Sequence, residues 1–203
     1  MGSSGLPAVA IAEPDIAAAY LPLHARVHLG IDTADGAAMV MAPGVAVTNE
    51  HNANLVDPKL VLGYGTQSDL MFFRTPRQAN PPTAVPVVGQ GVTAYGQGEG
   101  GKLRIAHGVI CNIAQVPGYA DSPYFIFAGN AGPGFSGGPV LDNSGRLIGI
   151  TFAYLDRSKH NRLIFAYDMK RVAVEFRLKR TGKSNLDSEF SSAPAYGNCD
   201  RKG

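Results

Sequence analysis

The sequence predicts an all-β chain folded as two successive six-stranded antiparallel barrels, followed by one C-terminal helix. Three observations carry that expectation. The 203 residues include 25 glycines and 14 prolines, spread between short apolar runs as turn punctuation. The runs alternate or are wholly apolar, as strands are. They fall into two groups of about six, parted by a proline-rich segment. Hydrophobic residues make up 45% and charged residues 17%, so the chain can bury a core and is not a disordered one.

Taken in order, Met1–Gly5 reads as an expression-tag remnant, and residues 1–20 lie outside the barrels. Leu6–Ala12 fits either the tail of an export signal, with an A-x-A site at Ala10–Ala12, or a plain apolar linker. The first barrel is assigned to 21–78. LPLHARVHLGI (21–31) alternates as a strand, and Asp32–Gly36 is a turn. Ala37–Met41 and Val45–Thr48 form a hairpin across Pro43-Gly44. Lys59–Tyr64 and Asp69–Arg74 are further strands. Residues 79–90 are a linker, within a stretch that carries Pro76, Pro81, Pro82 and Pro86.

The second barrel spans 91–167. Its strands are Val92–Tyr95, Leu103–Ile113, Tyr124–Ala128, Pro139–Leu141, Leu147–Tyr154 and Leu163–Tyr167. A helix covers 168–180, capped by Asp168, with Met169, Val172, Val174, Phe176 and Leu178 as its apolar stripe. Residues 181–203 form a polar tail.

Several function classes are excluded. The net charge is +2 and the one basic stretch is Arg177–Lys183, which gives no nucleic-acid footprint. No run is long enough for a membrane span. His24, His28, His51, His107 and His160 are scattered, and Cys111 and Cys199 have no metal-binding spacing, so neither a metal nor another cofactor is expected. The two cysteines either pair or stay free.

The most informative stretch is Gly132-Pro133-Gly134-Phe135-Ser136-Gly137-Gly138-Pro139-Val140. Glycines on both sides let Ser136 sit on a tight exposed loop and let backbone N–H groups converge on one point, as an oxyanion requires. A serine nucleophile needs a base with a pKa near neutrality. His51, at the end of an apolar strand, is placed to serve. The base needs a carboxylate to fix its tautomer. Asp69, abutting Leu70-Met71-Phe72-Phe73, is preferred over Asp57, which precedes Pro58 in a turn and has a local task there. The bland alternatives are a Gly/Pro turn around Ser136 and a surface-loop histidine at 51. His24, His28 and His107 read as partly exposed sheet residues and His160 as a solvated turn residue.

The order His51…Asp69…Ser136 is that of the chymotrypsin-like proteases. The chain resembles a trypsin-like serine peptidase of the bacterial type and is similar to the protease domain of the HtrA (Deg) proteins. Gly36–Val40, the Thr48-Asn49-Glu50-His51 motif, Ser68-Asp69-Leu70-Met71, Gly134–Pro139, and Gly145–Thr151 with Ile164–Tyr167 carry the likeness over about residues 22–178. It implies two perpendicular barrels with the triad between them, and an oxyanion hole from the N–H groups of Gly134 and Ser136. It implies a primary pocket lined by Asn130, Thr151, Phe152, Ala153, Tyr154 and Ile164. With no acidic residue at the pocket floor, an uncharged small or medium residue is expected before the scissile bond.

The pattern departs from the family in four places. Phe135 stands where digestive relatives carry an aspartate, which argues against activation by N-terminal cleavage. Asn52 replaces the cysteine of a familiar loop disulfide. The interval from His51 to Asp69 is only 18 residues. The residues after the helix are too few for the PDZ domain of HtrA proteins. The expected partner is a protein or peptide substrate, with a periplasmic or secreted location. The alternative is a catalytically inactive peptide-binding or scaffold protein on the same fold.

Overall fold

The computed structural model describes residues 19–26, 33–98, 101–116, 119–158, 161–182 and Cys199. The N-terminal half contains β1 (Tyr20–Arg26), β2 (Thr33–Ala42), β3 (Val45–Thr48), β4 (Val61–Tyr64) and β5 (Met71–Arg74). They form a five-stranded sheet in the order β1-β2-β3-β5-β4. A closed six-stranded barrel is therefore not what the described residues of this half form.

The C-terminal half does close. β6 (Gly91–Gln97), β7 (Leu103–Val116), β8 (Tyr119–Gly129), β9 (Pro139–Asp142), β10 (Leu147–Ser158) and β11 (Asn161–Asp168) make a barrel in the order β10-β11-β8-β7-β6-β9. The helix α1 (Met169–Leu178) follows β11 directly.

All six strands expected of the second half are present, several of them longer than expected. The β2–β3 hairpin turns at Pro43-Gly44, where Gly44 adopts a φ of 75°. Three local expectations are corrected. Residues 33–36 are not a turn, because they pair with β1 in the register Arg26↔Thr33 to Leu23↔Gly36. A sheet partner overrides the turn-like composition of Thr-Ala-Asp-Gly there. Pro58–Leu60 is a 3-10 turn, and the strand begins only at Val61. Asp69 lies ahead of β5 rather than within it.

One core joins the two halves. Met39, Val47, Leu70 and Phe72 pack in a single cluster with Ile126, Leu147, Ile150, Phe165 and Tyr167, and Val172 of α1 closes it. A second cluster fills the closed barrel around Ile110, Phe127, Phe135, Val140 and Ile148. The α1 face that is fully buried is Arg171, Val172 and Glu175, while Leu178 is exposed. Of the expected apolar stripe, Val172 is fully buried and Met169 and Phe176 pack half-buried against the core, but two charged residues share the buried face with Val172. Asp168 does cap the helix, accepting from the Arg171 N–H at 2.7 Å. Thr83 bridges to Leu147, which lays the linker against the closed barrel. Cys111 and Cys199 form a disulfide. Among the described residues no helix is long and apolar enough to cross a membrane.

Candidate active site

His51 lies in a 3-10 turn, Glu50–Leu55, that begins just past β3. Its ring Nδ1 is 2.6 Å from Asp69 Oδ2, and its backbone N–H donates to Asp69 Oδ1 at 3.1 Å. A carboxylate only accepts, so this contact places the proton on Nδ1 and leaves Nε2 as an acceptor. Asn49, two residues earlier, donates through Nδ2 to the Asp69 carbonyl at 2.9 Å. Three contacts therefore bind residues 49–51 to one aspartate. The short interval is no obstacle: two 3-10 turns, one strand and a loop bring the pair together. Asp57 does the local task expected of it, accepting from the Lys59 N–H at 2.9 Å.

Ser136 sits in the second of two successive tight turns, Phe135 N–H to Gly132 O at 3.1 Å and Gly138 N–H to Phe135 O at 2.9 Å. Gly134 and Gly137 have φ values of 85° and 82°, in the left-handed region that favours glycine. A Cβ on Gly137 would lie 2.1 Å from the Ala37 carbonyl oxygen, and one on Gly134 would lie 1.8 Å from that of Gln97. The loop is sewn onto β10 by Gly137 N–H to Thr151 O at 2.8 Å and Thr151 N–H to Gly138 O at 3.0 Å. Thr151 Oγ1 donates to the Phe135 carbonyl beneath it. Phe135 is buried in the closed-barrel core, so apolar packing supports the residue before Ser136.

The two halves meet at the Ser136 carbonyl. It accepts from the Ala37 N–H at 3.1 Å and from Asn52 Nδ2 at 3.0 Å. Asn52 is the neighbour of His51 and also donates to Thr48 Oγ1. Among the described residues the N–H groups of Gly134 and Ser136 donate no hydrogen bond, and the Ser136 hydroxyl makes none.

Beside Ser136 a pocket is lined by Ala131, Gly132, Phe135, Thr151, Ala153, Tyr154 and Ile164. Four of the expected pocket residues are there: Thr151, Ala153, Tyr154 and Ile164. Two are not. Phe152 points away from the pocket at the register shift between Thr151 and Ala153, and stacks on Tyr167 at 3.9 Å in the core. Asn130 is exposed and outside the lining.

Arg162, which sequence pattern did not single out, stands at the pocket's edge. Its guanidinium lies over the Tyr154 ring at 5.1 Å and donates to the Ala131 carbonyl at 3.4 Å. It also pairs with Asp156 Oδ1 at 2.5 Å. The i, i+2 relation to Ile164 was the available signal.

The remaining histidines stand apart. His24 pairs with Asp35 at 2.5 Å, and His107 with Thr93 Oγ1 at 3.2 Å. His28 and His160 lie outside the described residues. Among the described residues no group of three or more His, Cys, Asp or Glu could hold a metal ion.

Comparison with known proteins decides the family. The model of the trypsin-like peptidase domain matches residues 32–150, more than half of the chain. The chain belongs to the trypsin-like peptidase family. Membership makes this trypsin-like peptidase a serine endopeptidase by class. In fold it is similar to the active form of the Rv3671c protease from M. tuberculosis, with a TM-score of 0.63 and 16% identity over 98% of both chains. It is also similar to the HtrA-type protease AlgW solved with a tripeptide, with a TM-score of 0.62 and 22% identity over 80% of this chain. The peptidase spans 60% of the length of that AlgW chain. No curated protein matches it.

Proposed function

We propose that this peptidase hydrolyses peptide bonds through an acyl-enzyme, with Ser136 as nucleophile, His51 as base and acid, and Asp69 as the group that orients His51. The observation that carries the reading is the 2.6 Å contact between His51 Nδ1 and Asp69 Oδ2, on a ring that is 48% exposed. It leaves Nε2 free to take the Ser136 hydroxyl proton as Oγ attacks the scissile carbonyl. The oxygen of the tetrahedral intermediate is met by the N–H groups of Gly134 and Ser136, which among the described residues have no other partner. The imidazolium, held against Asp69, then protonates the leaving amine. Water attacks the acyl group by the same proton route in reverse and regenerates Ser136.

The pocket supports an uncharged small or medium residue before the cleaved bond. Ala153, Tyr154 and Ile164 give it apolar walls, and no carboxylate is among its lining residues. The tripeptide held by AlgW supports a peptide substrate. The Cys111–Cys199 disulfide supports an oxidising, exported location.

Fluorophosphonate labelling tests the assignment. The native chain is expected to label, and Ser136→Ala and His51→Ala to lose labelling while keeping their melting temperature. Labelling that persists in folded Ser136→Ala overturns it, and a native chain that never labels points to the inactive peptide-binding alternative.

A further inference from the structure

Asp69 is not fixed by the sheet. It ends the loop that leads from Gly65 into β5, and loops are ordinarily mobile and exposed. This one is held by a charged cluster more than a hundred residues away in sequence. Glu175 of α1 is fully buried and faces the loop. It accepts from the Thr66 N–H at 2.5 Å and the Thr66 hydroxyl at 2.9 Å, from the Ser68 hydroxyl at 2.9 Å, and from the Gln67 N–H at 3.3 Å. Arg171, one turn earlier and also fully buried, donates through Nε to Ser68 Oγ at 2.6 Å and through Nη2 to the Gln67 carbonyl at 2.5 Å. Tyr167, which lies under the Arg171 guanidinium at 4.8 Å, accepts the Asp69 N–H at 3.2 Å.

Every residue from 66 to 69 is thus pinned by α1 or by the strand end that precedes it. Burying a carboxylate and a guanidinium costs several kcal/mol each before their hydrogen bonds repay it, and apolar replacements often serve stability as well. What an apolar helix face could not do is hold the backbone of residues 66 and 67 and the Ser68 hydroxyl at fixed hydrogen-bond lengths. The Asp69 oxygens need that constraint, because they must meet the His51 ring and the His51 N–H together.

We propose that Glu175 and Arg171 are positioning residues for Asp69, so that the C-terminal helix holds the His51–Asp69 contact in register. The proposal rests on the catalytic reading given above. It makes α1 part of the active-site support, joining the loop ahead of β5 to the end of the closed barrel.

The test uses the full chain with Glu175→Gln and the milder Ser68→Ala, which removes the oxygen shared by Glu175 and Arg171. A glutamine carbonyl cannot accept from all the donors that the carboxylate serves. With the best substrate from a peptide panel, kcat is expected to fall about 10–100-fold with KM within twofold, as for a small misplacement of a catalytic group. The low-field proton resonance of the His51 Nδ1–H bonded to Asp69 is expected to broaden or shift in protein that is still folded. A purely structural role would lower the melting temperature and leave that resonance in place.

If Glu175→Gln does not fold, Ser68→Ala decides. Wild-type kcat and an unchanged resonance in folded Ser68→Ala overturn the proposal. Asp69→Asn separates the two readings. If it abolishes turnover while Glu175→Gln and Ser68→Ala do not lower it, the positioning role fails and the triad stands. If Asp69→Asn itself keeps full turnover, the triad reading fails.

Discussion

Replacing Asp69 by Asn keeps the shape of the site and changes only which atoms can accept. In the native chain one oxygen takes the His51 backbone N–H at 3.1 Å and the other takes ring Nδ1 at 2.6 Å. An asparagine has one oxygen for these two donors. If that oxygen stays on the backbone N–H, the amide NH2 faces Nδ1, which must then accept. The ring proton moves to Nε2, and the base can no longer receive a proton from Ser136. If the amide flips, its NH2 opposes the His51 N–H, and a donor left without an acceptor there costs about 1–3 kcal/mol. In both orientations the imidazolium loses its charged partner, a hydrogen bond of about 1.5–3 kcal/mol.

Together these effects amount to about 3–6 kcal/mol on the acylation barrier, or about two to four powers of ten in rate. The upper end agrees with the ~10⁴-fold loss that this substitution causes in a triad of the same kind. The assay is the second-order rate of fluorophosphonate labelling, which reports the nucleophilicity of Ser136 without needing the natural substrate. Asp57→Asn is the control, since among the described residues that carboxylate serves only the Lys59 N–H. Labelling of folded Asp69→Asn within tenfold of the native rate refutes the reasoning, as does a larger loss from Asp57→Asn.

Arg162→Ala opens the edge of the pocket by removing the group that lies over Tyr154 and holds the Ala131 carbonyl. On a peptide panel, kcat/KM for a large aromatic residue before the cleaved bond is expected to rise about tenfold over that for alanine; an unchanged ranking contradicts it. Gly137→Ala combines a φ of 82° with a Cβ 2.1 Å from the Ala37 carbonyl oxygen and is expected to abolish labelling. Gly89→Ala, with a φ of 86° and open space around its Cβ, is expected to cost only the left-handed strain of about 1–2 kcal/mol in a urea melt.

Asp168 gives a pH prediction with a definite sign. Burial pushes its carboxyl from 3.8 up to about 6, against the lowering effect of the Arg171 N–H. The folded chain holds that proton more tightly than the unfolded chain does. Its contribution to stability is therefore greatest below about pH 4, falls as pH rises to about 6, and levels off about 3 kcal/mol lower. Asn keeps an acceptor for the cap and carries no proton to lose. Urea melts of Asp168→Asn at pH 4.5 and pH 8 are expected to lack that slope and to show higher stability at pH 8; a slope equal to the native one contradicts the assignment.

The parts of the site that were legible in the sequence are those whose chemistry is local. The glycines and prolines around Ser136 specify its loop because each answers to its own φ or its own close neighbour. His51 announced itself by ending an apolar run. Asp69 was legible because a carboxylate against four apolar residues calls for a partner. Where the deciding contact is distant, composition misled. Thr33–Gly36 reads as a turn until β1 pairs with it, and Phe152 reads as a pocket residue until Tyr167 stacks on it from the next strand. Arg162 reaches the pocket only through the pairing of β11 with β10 and β8.

The helix shows the limit most clearly. From Met169 to Leu178 an apolar stripe can be traced through Val172, Val174, Phe176 and Leu178, yet the helix buries Arg171 and Glu175 on either side of Val172. Amphipathic pattern finds the buried face only when that face meets apolar surface. Here much of it meets the backbone of residues 66–68, whose N–H, C=O and hydroxyl groups need partners that leucine and valine cannot supply. The same demand underlies the positioning role proposed for the helix. Residues 66–68 lead to the aspartate that meets His51, while Ser136 belongs to the loop before β9. The triad proposed here draws His51 and Asp69 from the N-terminal half and Ser136 from the closed-barrel half, and so requires a link that fixes one against the other. The Asn52 bond to the Ser136 carbonyl supplies it on one side of the cleft, and α1 supplies it behind Asp69.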